Sequence, residues 1–192
     1  MSSSWIRLKR VIDLIVSLLA LIALSPILLI VASAVALTSP GGALFVQQRV
    51  GRNERPFNCI KFRSMKRDAP IGATHQVSKD WVTPVGRFLR RTKFDELPQL
   101  YNVLTGDMSM VGPRPCLPSQ GEVIKARRSR AVFSIRPGIT GLAQVLGVDM
   151  SKPETLAKID QQYVRRSGSA LDALIVWRTI WPRKQAGKAD AA

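Results

Sequence analysis

The chain has 192 residues, with 29 Lys and Arg against 13 Asp and Glu, a net charge of +16 and a pI near 11.1. That length suits one compact domain plus a membrane segment, and that charge calls for an anionic partner: nucleic acid, anionic lipid or a phosphorylated substrate. Cys59 and Cys116 have no metal-ligand spacing and His75 is the one histidine, which argues against a zinc site or a histidine-based triad. The cysteines read as small buried thiols in a reducing compartment. Chemistry must rest on carboxylates, Lys, Arg and, where a metal is used, a hard cation.

Leu14 to Leu37 runs for 24 residues without a charge. As a straight helix it reaches about 36 Å, enough for a hydrocarbon core of about 30 Å. Ser25-Pro26 interrupts its middle. Pro26 leaves the Ile22 carbonyl without a donor, and a neighbouring Ser hydroxyl can compensate. Arg7, Lys9 and Arg10 precede the run, and Arg49, Arg52 and Arg55 follow it. A span would place one basic cluster on the outer face, against the positive-inside tendency. Folding back at Ser25-Pro26 gives arms of roughly 12 to 15 residues, too short to cross but able to enter one leaflet. The sequence therefore predicts a re-entrant helix-break-helix in preference to a span. Ala32-Ser33-Ala34 resembles a signal-peptide cleavage site, but the apolar run is broken before it and continues past it, which argues against cleavage.

Thr38-Ser39-Pro40-Gly41-Gly42 is a turn cluster that ends this segment. Leu44-Phe45-Val46 and Phe57 to Phe62 read as two strands around the turn at Gly51 to Pro56, a β-hairpin. Residues 64–80 are polar and mixed, a mobile loop. Val85 to Arg91 reads as a short helix with Arg87, Arg90 and Arg91 near one side. A further helix is expected from near Asp95, with Pro98 in its first turn, to Gly106. Lys125, Arg127, Arg128 and Arg130 crowd one helical stretch, ordinarily a solvated face and, beside a membrane, suited to anionic headgroups. Leu171 to Trp181 carries Trp177 and Trp181 between basic residues (Arg178, Arg183, Lys184). It fits an interfacial helix or a core helix. Residues 185–192 read as a disordered tail.

Asp95 and Glu96 are an acid pair close to Arg87, Arg90, Arg91 and Lys93. Taken alone, Asp95 is an ordinary N-cap and Glu96 a first-turn acid. A helix N-terminus among arginines also binds anions, and neighbouring cations would push the Asp pKa down and keep it ionised. An ionised Asp facing a charge-neutralised phosphate is a competent nucleophile, and a second carboxylate could hold Mg²⁺. Gly112-Pro113-Arg114-Pro115 is a rigid turn that fixes the direction of Arg114, a residue type suited to bidentate phosphate recognition, although a solvated loop Arg is the plainer alternative. Arg136-Pro137-Gly138-Ile139-Thr140-Gly141 is a second glycine-rich turn and matches neither a Walker A loop nor a dinucleotide fingerprint.

From Lys9-Arg10-Val11-Ile12-Asp13 to about Trp181 the chain resembles the monotopic phosphoglycosyl transferases, bacterial sugar transferases that begin glycan assembly on a polyprenol phosphate. The resemblance is carried by Ile60-Lys61-Phe62-Arg63-Ser64-Met65, Asp95-Glu96-Leu97-Pro98-Gln99-Leu100, Gly106 to Pro115, and Arg136 to Val145 in this order. It is to the small form of the family. The resemblance implies that Asp95 attacks the β-phosphate of a UDP-sugar, expels UMP, and passes the phosphosugar to undecaprenyl phosphate. It implies that Glu96 binds Mg²⁺ or handles the acceptor's proton, so that Asp95 and Glu96 are the candidate metal ligands. Lys61, Arg90 and Arg114 would hold phosphates, with Arg136 a weaker candidate; Gly112, Pro113 and Pro115 would position the loop. Ser25 and Pro26 match the family's membrane break. Thr92-Lys93-Phe94 and Leu146 to Met150 depart from the family pattern at positions that bear on the sugar, for which an N-acetylated or deoxy-aminosugar on UDP is the family-based expectation.

The expected architecture is helix-rich α/β: a re-entrant hairpin and basic flank over 1–40, a cytosolic catalytic domain over 41–184, and a tail over 185–192. The expected location is the cytosolic face of the bacterial inner membrane. Partners would be the UDP-sugar, undecaprenyl phosphate and membrane lipid, not nucleic acid; a homodimer is possible. The competing expectation is a non-catalytic membrane-anchored binder of anionic lipid or nucleic acid, for which the basic charge alone would suffice.

Overall fold

A computed structural model describes residues 3–70 and 78–181. His75, Arg183, Lys184, the 185–192 tail and the centre of the 64–80 loop lie outside the described residues. The fold is helix-rich α/β, with two small sheets among seven α-helices in the described residues.

Helix α1 is Ser3–Thr38 and holds Pro26 in its interior. The helix is continuous where a break was expected. The Ser25 hydroxyl donates to the Ile22 carbonyl at 2.8 Å, supplying the donor that Pro26 lacks. One face of α1 meets the rest of the molecule at both ends. Toward the N-terminus, Asp13 and Ser17 are buried. Toward the C-terminus, Val31 and Val35 pack with Phe62 and Leu89. The opposite face is apolar and bare, with Leu19, Ile22, Leu29 and Ile30 exposed by 60–70%.

β1 (Leu44–Val50) and β2 (Pro56–Phe62) form the expected antiparallel hairpin, registered Leu44 to Phe62 and Val50 to Pro56. The Asn102 side chain continues this sheet sideways. It accepts from Ile60 N and donates to Asn58 O, so α3 (Gln99–Thr105) lies along the edge of β2. α2 (Pro84–Thr92) begins with Pro84 after Thr83, whose hydroxyl accepts from Gly86 N at 2.9 Å.

The two glycine-rich turns are partners. β3 (Ser109–Val111) and β4 (Gly138–Thr140) are paired in parallel. The pairing continues past β3, with Gly112 N donating to Thr140 O and Gly138 N to Pro113 O. A Cβ on Gly138 would stand 2.0 Å from Gly112 N, so only glycine permits this approach.

α4 (Gly121–Arg128), α5 (Leu142–Val145) and α6 (Pro153–Arg166) close a core around Cys116, Val123, Ala143 and Leu156. The basic run on α4 is a solvated face at Lys125 and Arg128, as expected, but not at Arg127. Arg127 is 1% exposed, paired with Asp160 and bonded to the Arg114 carbonyl. Arg128 pairs with Glu54 and Arg130 with Glu154. Buried charge persists only when paired, and the partner of the buried Arg127, Asp160, lies 33 residues away.

α7 (Ser169–Ile180) buries Ile175, exposes Leu174 and Ile180, and stacks Trp177 on Trp181 at 4.4 Å. One side is thus core and the other an apolar, aromatic surface.

Candidate functional site

Five of the sequence-predicted residues meet in one cleft. Asp95, Glu96, Lys61, Arg90 and Arg114 line a space of about 400 Å³ that also includes Arg49, Ser64, Lys66, Arg67, Lys93 and Gln144. They come from four pieces of the fold, with Asp95 and Glu96 sharing one turn. Lys61 stands on β2. Arg90 is in the last turn of α2 and is aimed by a 2.9 Å bond from Nε to Ser64 Oγ. The α2 backbone lies against Ser64 so closely that a Cβ on Gly86 would be 2.0 Å from Ser64 O.

α2 ends at Lys93, which adopts a left-handed conformation with φ of 60°. The chain turns there into a 3-10 turn, Phe94–Glu96, and only then into α3. Asp95 is therefore not the N-cap of α3: it lies inside the turn, four residues before Gln99. Its neighbour Phe94 packs against the Val31–Val35 arm of α1, and Asp95 itself is half-buried.

Glu96 is the anchored acid. Its Oε1 takes a 3.0 Å bond from Lys61 Nζ and a second, short one from Arg114 Nη2. Burial works to raise the Glu96 pKa, but Arg114 and Lys61 outweigh it and hold it at about 2. Arg114 is thus not a solvated loop residue. Its segment follows β3 and is held by Gly138 N on Pro113 O and by Arg127 Nη1 on the Arg114 carbonyl at 2.7 Å.

Asp95 is the free acid. Among the described residues its carboxylate has no hydrogen bond or ion pair. Its pKa is raised, first by burial and second by the charge of Glu96, against the pull of Lys61, Arg90 and Arg114. The expectation of a depressed pKa overlooked burial, which the sequence does not show. The cations that would have lowered it are engaged with Glu96 and Ser64.

Other placements differ from expectation. Arg136 does not line the cleft; its Nε is bonded to Gly106 O at 2.7 Å on another face. Of the basic face on α2 only Arg90 reaches the cleft, while Arg87 and Arg91 are exposed. Around Arg114, Gly112 N donates to Thr140 O, Pro113 O accepts from Gly138 N, and Pro115 O accepts from Arg49 Nη1. Arg49 and Gln144 were not anticipated. Arg49 donates to Pro115 O and Gln47 Oε1, and its Nε is buried without a partner. Gln144 Oε1 is likewise buried and unpartnered. The Arg49 signal was legible only as part of the basic flank after α1, and Gln144 carried none beyond its place after the second glycine turn.

Among the described residues no three His, Cys, Asp or Glu side chains converge to form a metal cage. Mg²⁺ does not need one, because it keeps waters and takes one or two carboxylates together with substrate phosphates. The free Asp95 carboxylate and the second oxygen of Glu96 fit that sparse donor set.

Fold and cleft define a basic domain bearing one long apolar helix, with an unpartnered carboxylate among cationic side chains. The chain belongs to the bacterial sugar transferase family, whose pattern matches residues 4–184. It is 43% identical over 183 residues to a UDP-glucose:undecaprenyl-phosphate glucose-1-phosphate transferase of Caulobacter vibrioides, covering 90% of this chain and 68% of that protein. It is 42% identical to an undecaprenyl-phosphate glucose phosphotransferase of Komagataeibacter xylinus, covering 93% of this chain but 36% of the relative. It is 35% identical to the exopolysaccharide production protein ExoY of Sinorhizobium fredii, covering 90% of this chain and 83% of that protein. The chain thus spans about a third of the Komagataeibacter protein and most of the Sinorhizobium one.

Proposed function

We propose that the chain transfers a sugar-1-phosphate from a UDP-sugar to undecaprenyl phosphate and releases UMP. The observation that carries this reading is Asp95, an unpartnered carboxylate in a cationic cleft of a bacterial sugar transferase.

In the first step an Asp95 oxygen attacks the β-phosphorus of the UDP-sugar. The bond from that phosphorus to the bridging oxygen breaks, its electrons leave with UMP, and an aspartyl phosphosugar remains. In the second step a phosphate oxygen of undecaprenyl phosphate attacks the same phosphorus and frees the Asp95 carboxylate. Such transfers need chiefly positioning and charge neutralisation. Lys61, Arg90 and Arg114 supply both, and bound phosphate charge would offset the like-charged crowding of the cleft. Approaching cations and metal would also bring Asp95 to its ionised form.

The sequence leaves two roles open for Glu96. A carboxyl held at about 2 is a poor proton acceptor at neutral pH, which supports orientation of Lys61 and Arg114 and a share in Mg²⁺ binding. Mg²⁺, held by Asp95 and Glu96 with substrate phosphates, would neutralise charge on the diphosphate.

The packing of α1 supports a one-sided membrane insertion at the cytosolic face of the bacterial inner membrane. Asp13 near one end accepts from Ser109 Oγ and Met110 N, and Val35 near the other packs with Phe62 and Leu89 of the same body. Both ends are then on one side, with the bare apolar face left for lipid. The glucose in the names of the Caulobacter and Komagataeibacter relatives favours UDP-glucose as donor over the amino sugar suggested by the family resemblance.

Purified protein in nanodiscs, given UDP-glucose, undecaprenyl phosphate and Mg²⁺, is expected to release UMP. Folded protein that releases none across a panel of UDP-sugars would contradict the enzyme reading and favour a non-catalytic binder of anionic lipid.

A further inference from the structure

Away from the Asp95 cleft, arginines gather around a second hollow. Arg52, Arg55 and Arg136 line a space of about 400 Å³ with Gly106 and Asp107. Arg52 and Arg136 also line the adjoining recess, together with Arg10 of α1. Three of these guanidiniums are tethered to backbone carbonyls. Arg10 bonds Val103 O and Leu104 O at 2.7 and 3.2 Å, Arg136 bonds Gly106 O at 2.7 Å, and Arg52 bonds Ser134 O at 3.1 Å.

Among the described residues none of the four is in an ion pair. Asp13 and Asp107 also act on Arg136, but after its own burial the charges of Arg10 and Arg52 act on it more strongly; Asp13 is bonded to Ser109 and Met110, and Asp107 to Thr105 Oγ1. The carbonyl tethers orient the guanidiniums and leave donors over. Capping of the α3 C-terminus explains Arg10 and Arg136. It does not explain Arg52 or Arg55, which bring further like charge to the same place. Converging like charges cost free energy that a bound oxyanion would recover through charge-assisted hydrogen bonds.

We infer that this hollow binds the phosphate of an anionic phospholipid headgroup, separately from the Asp95 cleft. Its depth supports a lipid source. Arg10 marks the junction between the charged flank and the apolar run, and Val11, Ile12 and Ile15 on the following turn are exposed by 52, 42 and 53%. With those side chains in lipid, Arg10 and the hollow stand at headgroup level. The inference rests on the membrane-embedded reading of α1.

The test is thermal unfolding of the full chain in phosphatidylcholine nanodiscs with and without phosphatidylglycerol. Phosphatidylglycerol is expected to raise the Tm by about 3 °C. The rise is expected to vanish in the Arg52→Gln/Arg55→Gln variant and to persist in Arg87→Gln/Arg91→Gln, whose exposed arginines line neither space. An equal loss in both variants would mean diffuse surface attraction and overturn the site. A full shift from inorganic phosphate in phosphatidylcholine alone would overturn the lipid source. Protein that fails to remain in phosphatidylcholine discs would overturn the embedded-helix reading instead.

Discussion

Adjacent in sequence, Asp95 and Glu96 are shifted in opposite directions. Burial and then Glu96 raise the Asp95 pKa, whereas Arg114 and Lys61 overcome burial and hold Glu96 at about 2. For Asp95 the folded value lies above the ordinary 3.8, so charging the group costs stability, and that cost is fully present above the folded pKa. For Glu96 the folded value lies below the ordinary 4.5, so its contribution is present above 4.5 and is lost as pH falls through about 2. At pH 7, then, Asp95→Asn is expected to raise the Tm and Glu96→Gln to lower it, the latter leaving Lys61 and Arg114 without their acceptor. Differential scanning fluorimetry reads both; an Asp95→Asn protein less stable than wild type would contradict the assignment of Asp95 as a strained, unpartnered acid. The acid pair and Lys61, Arg90 and Arg114 were legible because each sits in a motif with its own composition. Arg49 and Gln144 were not, since their place in the cleft comes from hairpin register and from β4 leading into α5.

The elements show the same division. The β1–β2 hairpin announced itself through apolar runs and a turn. β3 and β4 are three residues each, too short for any periodicity, and their pairing partners are about 29 positions apart. What the sequence did carry was glycine at Gly112 and Gly138, which reads as two turns until the pairing is known. Gly138→Ala should force these backbones apart, cost about 3 kcal/mol and displace Arg114. Wild-type stability and UMP release in that variant would contradict the close approach. Arg127 misled for a related reason, because composition does not reveal a distant Asp160. Arg127→Met is expected to cost about 3–5 kcal/mol by stranding Asp160. The Arg127→Met/Asp160→Leu pair should recover most of it, whereas equal loss in single and double variants would deny the buried pair its role.

At the scale of the molecule, one long helix and a surplus of positive charge shape the whole. Length and apolarity of α1 admit a span; the docking of both its ends onto one body supports insertion from one side. Cysteines introduced as Arg7→Cys and Pro40→Cys should both resist a membrane-impermeant thiol reagent added from the periplasm, against a low background because Cys59 and Cys116 are buried. Labelling at one of the two positions alone would indicate a span. The charge surplus is partly spent within the fold, at Asp160, Glu54 and Glu154, and partly concentrated in the cleft and around Arg136. The central claim is that Asp95 carries the phosphosugar. Intact mass spectrometry after incubation with UDP-glucose and Mg²⁺, without acceptor, tests it most directly. Wild-type protein should gain the mass of one hexose phosphate and lose it on addition of undecaprenyl phosphate, and Asp95→Asn should gain nothing. An adduct that persists in Asp95→Asn would contradict it.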